Sequence, residues 1–245
     1  MLRGAPLLLF LASPLRVYCQ SPPDAPDILE AARSGGASSA FADDRILGII
    51  PNYQTVSDPA LPYVPLRVSQ KWLLFVKETV DPYTFASAAA GAGLSQWGNG
   101  DPKYGPGFKP WLQRYGAAMA DVTTQNFFSD AVLASAFHED PRYFRKGPGS
   151  SVPHRVAYAI SRVVVTRRDS GPDIGKDVFN CSGIVGMAMG IGLSNAYYPV
   201  GSRNGGEMGS RVATSLAASA LGNLLPEFWP DIKSQWARRH HPKID

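Results

Sequence analysis

The sequence predicts an all-α protein, a single bundle of about six helices rich in Ala and Gly with an extended N-terminal arm. Three observations carry that expectation. Val178 to Tyr198, VFNCSGIVGMAMGIGLSNAYY, holds no charge and places Gly183, Gly186, Gly190 and Ser194 in one stripe at about 100° per residue. Two further uncharged segments, Pro82–Trp97 and Val212–Leu225, are built largely from Ala, Ser and Gly. A long segment from Pro110 to His138 repeats apolar residues at helical spacing. Each glycine in a helix costs about 1 kcal/mol relative to alanine, so a stripe of them needs a packing reason. A stripe without side chains lets a second helix come close, as in a glycine zipper. Gly183, Gly186, Gly190 and Ser194 are therefore expected to pack helices, with Pro82–Trp97 as the first candidate to fill the groove.

The chain begins MLRGAPLLLFLASPLRVYC. Arg3, the apolar run Leu7–Ala12 and the small-x-small-like stretch before Gln20 read as a signal peptide over 1–19. That run is too short to cross a bilayer. Cys19 raises a lipid-anchored alternative, so it is either removed or lipidated. Without residues 1–19, which hold Arg3 and Arg16 and no acid, 22 basic residues face 20 acidic ones, a net charge of +2. So mild a balance gives no case for nucleic acid. Cys181 then has no disulfide partner and reads as a small buried hydrophobe. Residues 20–44, rich in Pro, Ser, Gly and Ala, read as a flexible linker.

The helical domain is expected over 45–235. It opens with an extended arm, 45–66, whose prolines at 51, 59, 62 and 65 keep it out of a helix. Ser69–Val80 is the first helix, with Trp72, Phe75, Val76 and Thr79 on one face and Lys71 and Glu78 elsewhere. Asp81-Pro82 starts the second, with Asp as cap and Pro in the first turn. Turn residues fill 98–109. On the long helix Pro110–His138, the residues Leu112, Tyr115, Met119, Val122, Leu133 and Phe137 form the apolar arc, and Arg114, Asp121 and Gln125 sit on a different face, solvated or paired. Asn126 and Asp130 fall inside the apolar arc, where a charge must find a partner. Two roles are open for Asp130: an interior salt bridge to an arginine such as Arg162 or Arg142, or a catalytic carboxylate. A helix over Pro153–Thr166, the glycine-stripe helix and a last helix Arg211–Leu225 follow. The segment 236–245, with His240 and His241, reads as a polar tail.

His138-Glu139-Asp140-Pro141-Arg142 is the densest polar cluster. His138, Asp140, Arg142 and Asp130 are the catalytic candidates, since a histidine beside carboxylates and an arginine suits acid–base work. The structural alternative is a helix C-terminus, where a histidine complements the dipole and Asp-Pro makes a turn. Arg145, Arg155, Arg162 and Arg167 lie in a basic stretch that suits anionic lipid head groups or phosphate, or else a face paired with acids elsewhere. There is no HExxH, G-x-S-x-G or P-loop. The sequence implies no cofactor and no metal site.

HEDPRYFRKG, SRVVVTRRDSG, SNAYYP and EFWPDI together resemble a family of uncharacterised exported bacterial proteins that pair an H-x-D-P-R-Y-F-R block with an S-N-A-Y-Y-P block. The likeness spans about Asp44 to Lys233. It implies export to the periplasm or association with a membrane of the bacterial envelope, and it transfers no catalytic role. The functional expectation is a non-enzymatic membrane-associated or structural protein with anionic lipid, an envelope component or a second copy as partner. The alternative is a hydrolase of a phosphorylated or lipid envelope substrate that uses the His138/Asp140/Arg142 region.

Overall fold

The structure, a computed structural model, describes residues 45–100 and 102–240. The expected signal peptide 1–19, the linker 20–44 and the end of the tail with His241 lie outside the described residues. Helices dominate: α1 (Val68–Val80), α2 (Pro82–Trp97), α3 (Phe108–Asn126), α4 (Val152–Ser161), α5 (Cys181–Ser194) and α6 (Gly205–His240). The α3 rod continues through a π-helical stretch, Phe127–Leu133, into a last α-turn, Ala134–Ala136. The chain is a mostly helical bundle.

Seven strands of two to four residues edge it: β1 (Arg45–Ile46), β2 (Ile50–Pro51), β3 (Thr55–Val56), β4 (Glu139–Asp140), β5 (Tyr143–Phe144), β6 (Val165–Arg168) and β7 (Asp177–Phe179). β1 pairs antiparallel with β2, with Ile46 opposite Ile50. β3 runs parallel to β5, with Thr55 opposite Tyr143. β6 is the centre of an antiparallel sheet between β4 and β7. The extended arm is thus stitched to the 143–144 segment.

Three helix boundaries differ from expectation. α4 ends at Ser161, not Thr166, because the β-branched run Val163–Val165 turns into β6. α5 begins at Cys181, because Val178 and Phe179 belong to β7 and Asn180 supplies the cap by accepting from the Gly183 N–H. α6 is far longer than Arg211–Leu225, passing through Pro226 and Pro230, so 236–240 of the expected tail is helical.

The α3–π rod sits between α1, α2 and α5, while α6 lies along α4 and α5. The glycine groove is filled by this rod and not by α2, which packs on α3. A Cβ on Gly186 would stand 2.5 Å from the Ser129 nitrogen, and one on Gly190 would collide with the Gln125 side chain. At Gly183 the obstacle is the helix's own cap, Asn180, at 2.5 Å. Ser194 is fully buried and donates to the Ile191 carbonyl at 2.7 Å.

The interior is polar to an unusual degree. Tyr53, Leu66 and Leu74 form a small apolar cluster, eked out by alanines on α2, α3, the π stretch and α4. Beside them Lys71, Glu78, Arg114, Asp140, Arg155 and Glu227 are all buried. Two expected helix faces are reversed. On α1, Lys71, Leu74 and Glu78 face in, whereas Trp72, Leu73 and Val76 are exposed. On α3, Leu112 and Val122 are exposed, while Arg114 is buried and donates to the Gly105 carbonyl at 2.7 Å. Asp121, expected to be solvated or paired, is paired: it accepts from the hydroxyls of Tyr197 and Tyr198 at 2.6 and 2.5 Å. Among the described residues no helix is long and apolar enough to cross a membrane.

Candidate functional site

Where α1, α2, the π stretch, β5, β6, the start of α5 and the middle of α6 meet, they enclose a cavity of about 400 Å³. Its sides differ in charge. Glu78 from α1 and Asp130 from the π stretch form one side, with Asn126 and Ser129 beside them. Arg142, Arg162 and Arg167 line it as well. The π stretch closes on the Ser129 carbonyl, which accepts from the Ala134 N–H, a wider turn than an α-helix makes. Ser129 is also the residue against which Gly186 packs, so the absent side chain on α5 brings that helix down onto the wall of the cavity.

Glu78 and Asp130 are a carboxyl pair. The Asn126 amide donates to Glu78 Oε2 at 3.2 Å, and the Ser129 hydroxyl to Asp130 Oδ1 at 2.7 Å. Glu78 Oε1 is buried and, apart from the Asp130 carboxyl, meets no N–H or hydroxyl donor among the described residues. Its neighbour is the half-buried Asp130 carboxyl, and two carboxyls this close disfavour ionising together. Burial, and then the charge of Asp130, push Glu78 well above the usual carboxylate range. Burial pushes Asp130 up to about 6, against hydrogen bonds from Ser129 and Glu78 that pull it down. The interior salt bridge expected of Asp130 is therefore absent: its neighbour is an acid and not an arginine.

The structure brings together two of the four catalytic candidates. Asp130 and Arg142 line the cavity; His138 and Asp140 do not. His138 is the left-handed residue that ends the rod, with φ +57°, and its carbonyl accepts from the Asp169 N–H at 3.0 Å. Its side chain is 60% exposed, with Nδ1 3.9 Å from Asp169 Oδ1. Asp140 is fully buried and fully occupied. It takes the Arg142 backbone N–H at 3.1 Å, the Arg142 guanidinium at 3.0 and 2.7 Å, and the Tyr63 hydroxyl at 3.1 Å. This is a turn lock, the structural alternative that the Asp-Pro pair allowed.

The anion-binding candidates divide in the same way. Arg145 and Arg155 are buried in a clasp around α6. Arg155 Nε meets Glu227 Oε1 at 2.6 Å, and Arg145 Nη2 meets Asp231 Oδ1 at 2.5 Å. Glu227 also accepts from the Tyr143 hydroxyl at 2.8 Å and the Lys146 and Gly147 amides. Neither arginine is offered to a head group. Arg162 grips Asp177 through both terminal nitrogens at 2.7 Å, a bond that holds that carboxylate below its usual range. Arg167 makes no ion pair among the described residues; its guanidinium lies 4.2 Å from the Phe144 ring and 5.7 Å from that of Tyr63.

Sequence reasoning missed Glu78, because hydropathy assigned the Lys71/Glu78 side of α1 to solvent. It also missed Glu139, which is buried and accepts the Ser182 N–H at 2.8 Å, a carboxylate set on the N-terminus of α5. Among the described residues no three His, Cys, Asp or Glu side chains converge as a metal site. A scan against protein-family models and searches of curated proteins and solved structures return no match.

Proposed function

We propose that this is an exported, non-enzymatic protein of the bacterial envelope that seats its apolar exterior against lipid. One observation carries the reading: large apolar side chains stand exposed on most helices while charged ones are buried. Leu73, Val76, Leu94, Leu112, Val185 and Leu225, on five different helices, are exposed, while lysine, arginine and glutamate are buried. In water the hydrophobic effect works the other way, at about 25 cal/mol for each Å² of apolar surface. Against acyl chains the same arrangement is favourable, because polar groups then find their partners inside. The N-terminal segment 1–19 supports export, and the resemblance to exported envelope proteins agrees with it.

The attachment is apolar more than electrostatic. Arg145, Arg155 and Arg162 already hold carboxylates, so the basic stretch offers anionic head groups little free charge. The hydrolase alternative needed His138 and Asp130 on one cavity, and His138 stands outside it. Against a homo-oligomer through the glycine groove weighs the packing of Ser129 and Gln125 of the same chain on Gly186 and Gly190.

Flotation of the purified mature protein with lipid vesicles tests the reading. Co-flotation that persists in about 1 M salt, where charge attraction is screened, is the expected result. A monodisperse protein that needs no detergent and stays with the aqueous fraction overturns it.

A further inference from the structure

Arg167 stands in the middle of a row of charges. β6 is the central strand of its sheet, and the register sets Arg167 directly opposite Asp140 of β4 and directly opposite Asp177 of β7. Residues opposite one another share a face of the sheet. Arg167 nevertheless pairs with neither acid, because each is already taken. The Arg142 guanidinium holds both oxygens of Asp140, at 3.0 and 2.7 Å. The Arg162 guanidinium holds both oxygens of Asp177, at 2.7 Å each. The row thus has three guanidiniums for two carboxylates, and Arg167 is the one left over. Lys146 joins it. Its Nζ lies 4.9 Å from the Tyr158 ring, the ring that the Arg162 guanidinium approaches to 4.4 Å. Asp177 is where these charges meet. The Arg162 bonds hold its carboxyl below the usual range, against burial, and the charges of Arg162, Arg167 and Lys146 add to the pull. At 52% exposure, Asp177 opens the cluster to the surroundings.

The two left-over cations are positioned and accessible. Arg167 Nε is sealed inside the protein, but its terminal nitrogens are not, and they donate to no acceptor among the described residues. The guanidinium lies 4.2 Å from the Phe144 ring, a contact that fixes its plane and leaves its N–H edge unused. The Lys146 ammonium likewise rests on a ring and forms no ion pair among the described residues. The neighbouring clasp does not offset them, since Arg145 and Arg155 are balanced by Glu227 and Asp231. Around Asp177 two positive charges therefore lack a counter-charge.

We propose that Arg167 and Lys146 bind a phosphomonoester, seated on the terminal nitrogens of Arg167 beside the Arg162–Asp177 pair. Such a group carries a charge of about −1.5 to −2 near neutral pH and three acceptor oxygens, which matches an excess of two cations. The guanidinium fork suits its geometry, and the lysine supplies a mobile point charge. A carboxylate or a phosphodiester brings one charge and leaves the other cation unmet. Arg162 is a positioning residue: by occupying Asp177 it keeps that carboxylate from closing on Arg167. The phosphate can belong to a lipid head group or to a free phosphorylated molecule. The lipid source rests on the lipid-seated reading above; the site does not.

The test is calorimetric titration of the mature protein at pH 7.5 with glycerol 3-phosphate, a monoester, against glycerophosphoglycerol, a diester, and acetate. The expected result is that the monoester binds about ten-fold or more tighter than either. Arg167→Gln is expected to weaken it by about ten-fold. Arg168→Gln removes the same charge one position on, from the opposite face of β6, and is expected to leave binding unchanged. Equal losses in the two variants would mean general charge attraction and overturn the proposal. So would equal binding of the three ligands, or no heat from glycerol 3-phosphate at millimolar concentration. The ligand comparison uses the unaltered protein, so it decides the matter even if a variant does not fold. Flotation on phosphatidylcholine vesicles containing either phosphatidic acid or phosphatidylglycerol separates the sources. A preference for phosphatidic acid that Arg167→Gln removes assigns the site to a lipid head group. Glycerol 3-phosphate binding with flotation indifferent to phosphatidic acid assigns it to a free phosphomonoester. Binding without any flotation keeps the site and removes the lipid-seated reading; flotation without binding does the reverse.

Discussion

At Asp130 the interior can be interrogated one proton at a time. In the unfolded chain this carboxyl titrates near 3.8, and in the fold it is raised to about 6. The folded state therefore holds the proton more tightly, and the stability that comes with it is complete below about pH 4. It is lost as pH rises from there through about 6, after which the penalty is constant. Asp81, Asp177 and Asp231 act in the opposite sense, being held below their usual values, so their contribution disappears only as pH falls below about 4. The two windows do not overlap. Asp130→Asn is expected to raise the melting temperature at pH 7 and to match the unaltered protein near pH 4. A melting curve across that range checks it, and a variant equally shifted at both ends would mean that the carboxyl does not carry the proton assigned to it. Asp130 stood out in the sequence because a charge on an apolar arc is anomalous whatever surrounds the helix. Glu78 did not, since it sits among polar neighbours on α1. His138 carried two readings, a site and a helix end, and its left-handed backbone, with its carbonyl tied to the Asp169 N–H, is that of a helix end.

Among the elements, α5 and α6 show two ways in which this bundle is held. Gly186 meets the backbone of Ser129, which cannot swing aside, whereas Gly192 on the same helix has open space around its Cα. Gly186→Ala is expected to destabilise by about 3 kcal/mol through overpacking. Gly192→Ala should stabilise by about 0.5–1 kcal/mol through helix propensity alone. Denaturant unfolding of the pair separates packing from propensity; equal effects would remove the close approach assigned to α5. The clasp on α6 is electrostatic. Glu227 is fully buried among Arg155, Tyr143 and two backbone amides, so Glu227→Ala leaves the buried Arg155 with Asp231 as its one remaining carboxylate among the described residues. Its cost should be about 3–5 kcal/mol, visible as early unfolding of the C-terminal helix in hydrogen exchange. α5 was legible because a charge-free run with spaced glycines has few other readings. The long α6 was not, because Pro226 and Pro230 signal a stop, and what holds the helix past them is a set of contacts to residues 72 to 86 positions away. The strands escaped for a related reason. At two to four residues they are shorter than any alternation can reveal, and only the β-branched run before β6 hinted at one.

For the whole molecule the decisive quantity is which side of each helix meets the surroundings. The six helices lie about where they were expected, three of them with other bounds, but the faces of α1 and α3 differ, because a helical wheel assumes that apolar side chains turn inward. On α1 the assumption hid Lys71, whose ammonium meets Asp169 and donates to the Ala134 carbonyl at 2.7 Å. On α3 it hid Arg114. If the exterior is apolar, the reversal is what the physics requires, and it can be turned back by mutation. Leu73→Glu with Val76→Glu puts two charges on an exposed face of α1 where neither side chain is buried. In detergent micelles of short chain length, folding should change little, since surface substitutions away from packed contacts stay within about 0.5 kcal/mol. Vesicle association should fall sharply, because each buried charge opposes the apolar gain by at least about 2 kcal/mol. A water-exposed protein gives the contrary pattern: the double variant becomes more soluble and no vesicle binding exists to be lost. A protein that hides this face against a second copy gives a third, in which the variant turns from oligomer to monomer on a sizing column with lipid absent throughout. Only the first pattern gives the exposed apolar faces a surface that covers them while the charged side chains stay paired inside.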